Sequence, residues 1–290
     1  MEFRPLTDED VAAPPAWLAA EADLRPDRWR DDCTRAIVGL EGGVPVAVGR
    51  IFPSRVHTSR FWTEIVVDPG RRRQGVGTDV AAELARLRPD DRPMCARGSL
   101  SSAAVLFARS LGARPYQTCP PEQVRTSSAA SLAAQGGVVV VAGADVTLEE
   151  LRRAWTDTYA WAHETWSPVA DGFEEPLLAG FDADLDRTHT RVVADPAIRA
   201  AAFVFRDQPH PVLVAECRSR HQPDGLGLLR ACVRASLLSL AADGTEEVIF
   251  DGHDTDPHFR PLLDELPATG EPFVLLEWGL TATVGPRRSP

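Results

Sequence analysis

The chain has 290 residues, 44% hydrophobic and 25% charged, an ordinary globular composition with room for one large domain or two of about 145 residues. Asp and Glu outnumber Lys and Arg by 42 to 31, a net charge of −11, which speaks against a nucleic-acid binder with a basic footprint and suits attraction of cationic small molecules. No apolar run reaches the roughly 20 residues of a membrane span, and the opening MEFRPLTDED has no apolar stretch, so neither a membrane segment nor a signal peptide is expected.

Met1–Leu6 predicts a short strand. Asp8–Cys33 is polar and helical, broken at Pro14-Pro15, with a helical pattern over Ala16–Asp23. Ala36–Leu40 and Val44–Ile51 flank a Glu41-Gly42-Gly43 turn and predict a hairpin. Arg60–Asp68 is a third apolar strand. Val76, Val80, Leu84 and Leu87 have helical spacing within Gly75–Leu87. A strand at Met94–Gly98, a helix at Ser102–Leu111 closed by Gly112, and a strand at Arg114–Thr118 follow. The small, polar run after Thr126 ends in Gly136-Gly137 and predicts a linker at 127–136, between domains at 1–126 and 137–290. Val138–Ala142 predicts a strand and Leu148–Thr165 a long helix. Strands at Arg191–Ala194, Ile198–Arg206 and Val212–Arg218 then lead to a helix at Gly225–Leu240. A strand at Glu247–Asp251, a helix at Phe259–Leu266 and a strand at Pro272–Trp278 complete the order.

Residue types narrow the chemistry. The five cysteines (33, 95, 119, 217 and 232) are odd in number and have no CxxC spacing. They read as reduced residues of a cytoplasmic protein, with neither a zinc site nor a disulfide framework. The chain has no Lys and no Asn, as expected of a GC-rich bacterial gene. Roles usual for those residues fall to Arg, Ser, Asp or His. The histidines show no metal spacing; His253 and His258 with Asp254 and Asp256 can be drawn as a site, but no metal is expected. Ser99–Ser102 lacks the Gly-x-Ser-x-Gly context of a serine hydrolase. Trp155, Tyr159, Trp161 and Trp166 read as core or interface, with a substrate wall as the alternative.

Two joints stand out. Arg72-Arg73-Gln74-Gly75-Val76-Gly77 lies between a strand and a helix, and Gln222-Pro223-Asp224-Gly225-Leu226-Gly227 lies at the same kind of joint. The offset is 225 − 75 = 150 residues, which points to a tandem repeat of one fold. A strand entering a Gly-x-Gly turn that opens a helix gathers backbone N–H groups at a positive helix end, and this suits a pyrophosphate. The Rossmann pattern does not fit, because Val80 stands where its third Gly would be, and no Walker Lys exists.

Val67, Pro69, Arg72, Gly75 and Gly77 fill the pattern Val-x-Pro-x-x-(Arg/Gln)-x-x-Gly-x-(Gly/Ala). This stretch resembles motif A of the GNAT (Gcn5-related) N-acetyltransferases, and the flanking order of elements extends the resemblance over 1–126. The second half keeps Gln222, Gly225 and Gly227. The resemblance implies an α/β fold of two tandem GNAT domains, each a mostly antiparallel sheet splayed at its motif-A strand and flanked by helices. It implies acetyl-CoA as acyl donor and a small-molecule amine as acceptor; charge and hydropathy add the expectation of no nucleic-acid or membrane partner, and a monomer or homodimer is expected. The backbone of Ile65, Val66 and Val67 would meet pantetheine. Arg72, Arg73, Gln74, Gly75, Val76, Gly77 and Thr78 would hold the pyrophosphate. Ser102, or Ser101, would replace the Asn usual near the start of the later helix. Glu64, three residues before Val67, is the candidate general base, acting directly or through water; an ordinary solvent-facing acid is the alternative. The usual thiolate-protonating Tyr is missing, since its places hold Ala108 and Leu263. Tyr116 is close in sequence and can serve instead, or pack in the core. Three Arg around the first turn favour CoA there. Pro223 and Asp224 disfavour it in the second, where Glu216, His253, Asp254 and Asp256 are either acid–base groups or a polar rim. Two further functions stay open: a catalytically silent CoA-binding protein with a regulatory or carrier role, and acyl transfer to a peptide, protein or carrier-bound substrate.

Overall fold

Thr7 starts the first helix with a capping box, in which its hydroxyl accepts from Asp10 N and the Asp10 carboxylate accepts from Thr7 N. A computed structural model describes residues 1–18 and 24–279. Strand β1 (Glu2–Pro5) precedes this helix, α1 (Asp8–Ala12), which ends before Pro14-Pro15. Most of the helical pattern expected over Ala16–Asp23 lies outside the described residues. Strands β2 (Arg35–Glu41) and β3 (Val44–Pro53) form the expected hairpin around Gly42-Gly43. Strand β4 (Phe61–Val67) pairs antiparallel with β3, and helix α2 (Val76–Leu87) packs on them through Val76, Val80, Ala81 and Leu84. Gly49 of β3 permits that approach, because a Cβ there would lie 2.5 Å from Val80 Cγ1 and 2.9 Å from Leu84 Cδ1. Strand β5 (Met94–Ser99), helix α3 (Ala103–Ser110) and strand β6 (Arg114–Cys119) follow. Strand β5 runs parallel to β4 but pairs only at Phe61↔Met94 and Trp62↔Cys95. The remaining length of β4 is therefore splayed open on that side, as expected for its motif.

Strand β7 (Gln123–Arg125) leads into a 3-10 helix, Thr126–Ser131, and then strand β8 (Val141–Ala142). Helices α4 (Leu148–His163), α5 (Glu174–Leu178) and α6 (Phe181–Asp184) precede strands β9 (Arg191–Ala194), β10 (Ile198–Phe205) and β11 (Val212–Cys217). Helix α7 (Gly225–Ala242), strand β12 (Glu247–Phe250), helix α8 (Phe259–Leu263) and strand β13 (Phe273–Trp278) complete the described order. Strand β12 is parallel to β11 and pairs only at Val212↔Ile249 and Leu213↔Phe250, so the splay recurs. Among the described residues, α7 alone has the length and apolar composition to cross a membrane. It is instead the main helix of a core in which Leu229, Cys232, Val233 and Leu237 are fully covered.

The strands form two sheets, ordered β1-β2-β3-β4-β5-β13-β6 and β7-β12-β11-β10-β9-β8. Among the described residues, the first unit comprises those of Met1–Gly98, Ser102–Pro115 and 275–279; the second comprises Ser99–Ser101 and Tyr116–Val274. This division differs from the expected cut on either side of 127–136. The supposed linker is not a solvated tether, since Ala129 and Leu132 are buried in the same core as α7. Ala and Ser are small enough to pack closely on a helix, so a run that reads as flexible also reads as a tight seam. The expected strand at 138–142 shortens to its last two residues.

Candidate functional site

The loop after β4 is shaped by its own side chains. Asp68 Oδ1 accepts from Gly70 N (2.8 Å) and starts a 3-10 turn, Pro69–Arg71. Arg72 Nε donates to the Val67 carbonyl (3.1 Å), Gln74 Nε2 donates to the Gly70 carbonyl (3.0 Å), and Arg71 pairs with Glu41. Arg73 (φ 64°) and Gly75 (φ 89°) are both left-handed, which turns the chain sharply into α2. Gly75 is the N-cap and supplies no side-chain acceptor, so the first-turn N–H groups of Val76, Gly77 and Thr78 have no cap bond. Uncapped donors, a positive helix end and the nearby Arg72 and Arg73 are the features with which a helix start can hold an anion.

A cleft of about 500 Å³ joins this turn to the splayed strand. One wall is Ile65, Val66 and Val67; the turn contributes Arg72, Arg73, Gly75, Gly77 and Thr78. The third wall was not anticipated: Ala103, Ala104, Phe107 and Ser110 of α3. Their spacing, with Phe107 four and Ser110 seven residues after Ala103, is one helix face, and its lack of charge was the available signal. The side chains of three expected residues are engaged elsewhere, which leaves the backbone N–H groups of Gln74 and Val76 in the turn. The Val76 side chain is buried in the core, Gln74 is tied back to Gly70, and Ser102 Oγ caps α3 by accepting from Val105 N (3.3 Å). Glu64 lies opposite Arg50 in the β3–β4 register, on the strand face away from α2. Its Oε2 accepts from Arg50 Nε at 2.7 Å and lies 2.6 Å from Nη2. The Arg50 guanidinium in turn lies over Phe52 and Trp29, 5.3 and 5.9 Å from the ring centroids.

Residues 4–93 match the Acetyltransferase (GNAT) family. A tandem GNAT protein from the clavulanic acid biosynthesis pathway matches with TM-score 0.56 at 17% identity, over 99% of each chain. The chain carries a GNAT-family match in its first unit and shares the fold of a tandem GNAT protein over its length. A GCN5-related N-acetyltransferase from Sphaerobacter thermophilus matches with TM-score 0.51 at 13% identity, over 84% of this chain and 80% of that one. A probable N-acyltransferase from Enterococcus faecalis V583 matches with TM-score 0.56 at 10% identity, over 96% and 72%. No curated protein matches the sequence. The matched segment, residues 4–93, belongs to an acetyltransferase family and contains β4 and the turn that opens α2.

The second unit is built differently at its turn. Its helix N-cap is Asp224, left-handed at φ 56°, so the counterpart of Gly75 is Asp224 and the structural offset is 224 − 75 = 149 residues. The sequence match of Gly75 to Gly225 is therefore shifted by one. Gly225 is not an open approach for phosphate: a Cβ there would lie 2.4 Å from His258 Cδ2 and 3.0 Å from Cys217 Sγ. Gly227 faces Gln135 Oε1, and Gln222 Nε2 bonds the neighbouring Pro223 carbonyl (3.3 Å). At the end of β11 the Cys217 carbonyl accepts from Trp161 Nε1 (2.9 Å). An acid, an imidazole and an indole of the chain itself thus occupy the corresponding strand end and helix start.

Nor do the second copy's candidate acids form a rim. Glu216 and Asp256 are 5% and 3% exposed, and Asp256 Oδ1 accepts from His258 N (2.6 Å) and Phe259 N (3.0 Å) at the start of α8. Burial, then the neighbouring Asp256 carboxyl, pushes Glu216 well above the usual carboxylate range. Asp254 is paired with Arg260 (3.0 Å). Burial holds the His253 imidazole below its ordinary range. Tyr116 lies on β6, and its ring centroid lies 6.0 Å from that of Trp166.

Proposed function

We propose that the first unit binds acetyl-CoA in its cleft and that the protein transfers the acetyl group to a small primary amine. The observation that carries this reading is the continuity of one cleft from the splayed edge of β4 to the uncapped start of α2. The free β4 edge suits the amides of pantetheine as an added strand would. The N–H groups of Val76–Thr78, with Arg72 and Arg73, suit the pyrophosphate. A primary amine has a pKa near 10 and is mostly protonated at neutral pH, so it must lose a proton before attack. Glu64 takes that proton, directly or through a water. The amine then attacks the thioester carbonyl, the C–S bond breaks, and CoA leaves as a thiolate. With a thiol pKa of about 8.5, that thiolate takes its proton from solvent, in keeping with Ala108 at the place of the usual acid. The acidic net charge attracts cationic amines.

Titration calorimetry with acetyl-CoA, followed by thiol release in the presence of amine pools, tests the reading. One binding event per chain, lost in Gly75→Trp, is expected, together with amine-dependent thiol release. Unchanged affinity in Gly75→Trp would remove the cofactor placement. Binding without transfer to any amine would leave a CoA-binding protein, a reading that the Arg50 contact on Glu64 and the missing acid would then support.

A further inference from the structure

We propose that Cys119, Asp251 and His253 bind one divalent cation of the zinc class. Cys119 ends β6, Asp251 is the first residue beyond β12, and His253 follows two residues later. Chain order hides the trio, which sequence spacing gave no reason to expect. All three belong to the second unit, and one donor atom from each lies within 4.8 Å of the others. A zinc ion with sulfur at about 2.3 Å and nitrogen or oxygen at about 2.0 Å sets its donors roughly 3–4 Å apart, so closure needs only small side-chain shifts.

A second observation points the same way. His253 Nδ1 is sealed from solvent and has no hydrogen-bond partner. Its ring is fixed by Trp166 and His163, with centroids 4.8 and 5.1 Å away. The loop is held in place without a metal. Asp251 N donates to the Leu213 carbonyl (3.0 Å), and Asp254 N donates to the Thr118 carbonyl (3.0 Å), which fastens the loop beside Cys119. Cys119 is buried, whereas Asp251 is exposed and gives the ion a way in. A thiolate, an imidazole and a carboxylate are a borderline-soft set that suits Zn²⁺ and Co²⁺ over Mg²⁺ or Ca²⁺. The fourth position would hold a water. Binding releases the Cys119 proton to solvent, and the ion ties the end of β6 to the loop after β12.

The full chain, stripped with a chelator, is titrated with Co²⁺ and then Zn²⁺. One Co²⁺ per chain is expected, with a thiolate-to-cobalt charge-transfer band that Zn²⁺ removes. Zn²⁺ should also raise the thermal midpoint. Cys119→Ala should abolish the band, and His253→Gln should weaken binding by at least about tenfold. Asp251→Asn, an exposed change that leaves the core intact, should also weaken it, which keeps the test available if Cys119→Ala does not fold. Circular dichroism and a cooperative unfolding transition establish folding of each variant. Absence of the charge-transfer band, or equal affinity in wild type and Asp251→Asn, would overturn the site.

Discussion

Glu64 and Glu216 occupy equivalent motif strands of the two copies and have opposite surroundings. Glu64 is solvent-exposed, and its Oε2 accepts from the Arg50 guanidinium at the surface. If it takes the amine proton, Glu64→Gln should lower turnover by about 10²–10⁴ with acetyl-CoA affinity unchanged. The deficit should shrink as pH rises, because more amine is then already neutral; steady-state rates across pH with any acceptor check this. Full activity in the variant at neutral pH would reject Glu64. Glu216 is buried beside Asp256, and its pKa is raised in the folded state. The sign for stability follows. Below the unfolded carboxylate range both states are protonated and nothing is lost. As pH rises, the unfolded chain ionises first while the folded chain keeps its proton, so stability falls until the raised pKa is passed. Glu216→Gln removes the ionisation and keeps the shape. Its stability relative to wild type should grow between about pH 5 and about pH 8, read from urea midpoints. A gap that narrows over that range would contradict this.

At the scale of elements, β3 and α2 are in contact through the missing side chain of Gly49. Gly49→Ala places a methyl into Val80 and Leu84 and should cost about 1–3 kcal/mol, measured by denaturant unfolding, because a closely packed seam cannot give way. No loss would mean that α2 is freer to move than its contacts imply. The elements whose cause is local were legible in the sequence. Gly42-Gly43 can only turn, Val76, Val80 and Leu84 repeat at helical spacing, and Leu228 through Leu240 make a core helix. The seam at 127–136 was not legible, since Ala129 and Leu132 are buried by α7, nearly a hundred residues away. The first cleft was legible on its strand and turn, where Val67, Pro69, Arg72, Gly75 and Gly77 form a recognisable pattern. Its α3 wall was harder to see, because an uncharged helix face can equally be a core face. The second turn misled by one residue: Gly225 matches Gly75 in letter, while the left-handed N-cap falls at Asp224. Identity of residue and identity of conformation part there, and His258 packs onto Gly225, a contact invisible along the chain.

For the whole molecule, the repeat in sequence does not give two self-sufficient halves. Strand β13, from the end of the described chain, stands between β5 and β6 in the first sheet, while β7 is an edge strand of the second. Val274, Leu276 and Trp278 of β13 are buried, so this strand supplies core as well as backbone pairing. Removing it would bare an edge on β5, next to the strand that bounds the cleft, and an exposed strand edge invites pairing with other chains. A fragment ending at residue 126 should therefore fail to fold as a stable monomer. It should aggregate or lack cooperative unfolding, and it should not bind acetyl-CoA, even though it contains every cleft residue. Supplying residues 127–290 in trans should restore solubility if the missing strand is the cause. The fragment's sedimentation profile, thermal unfolding and calorimetric titration measure this. A soluble, cooperatively folded 1–126 with the affinity of the full chain would show that β13 is dispensable to the first unit.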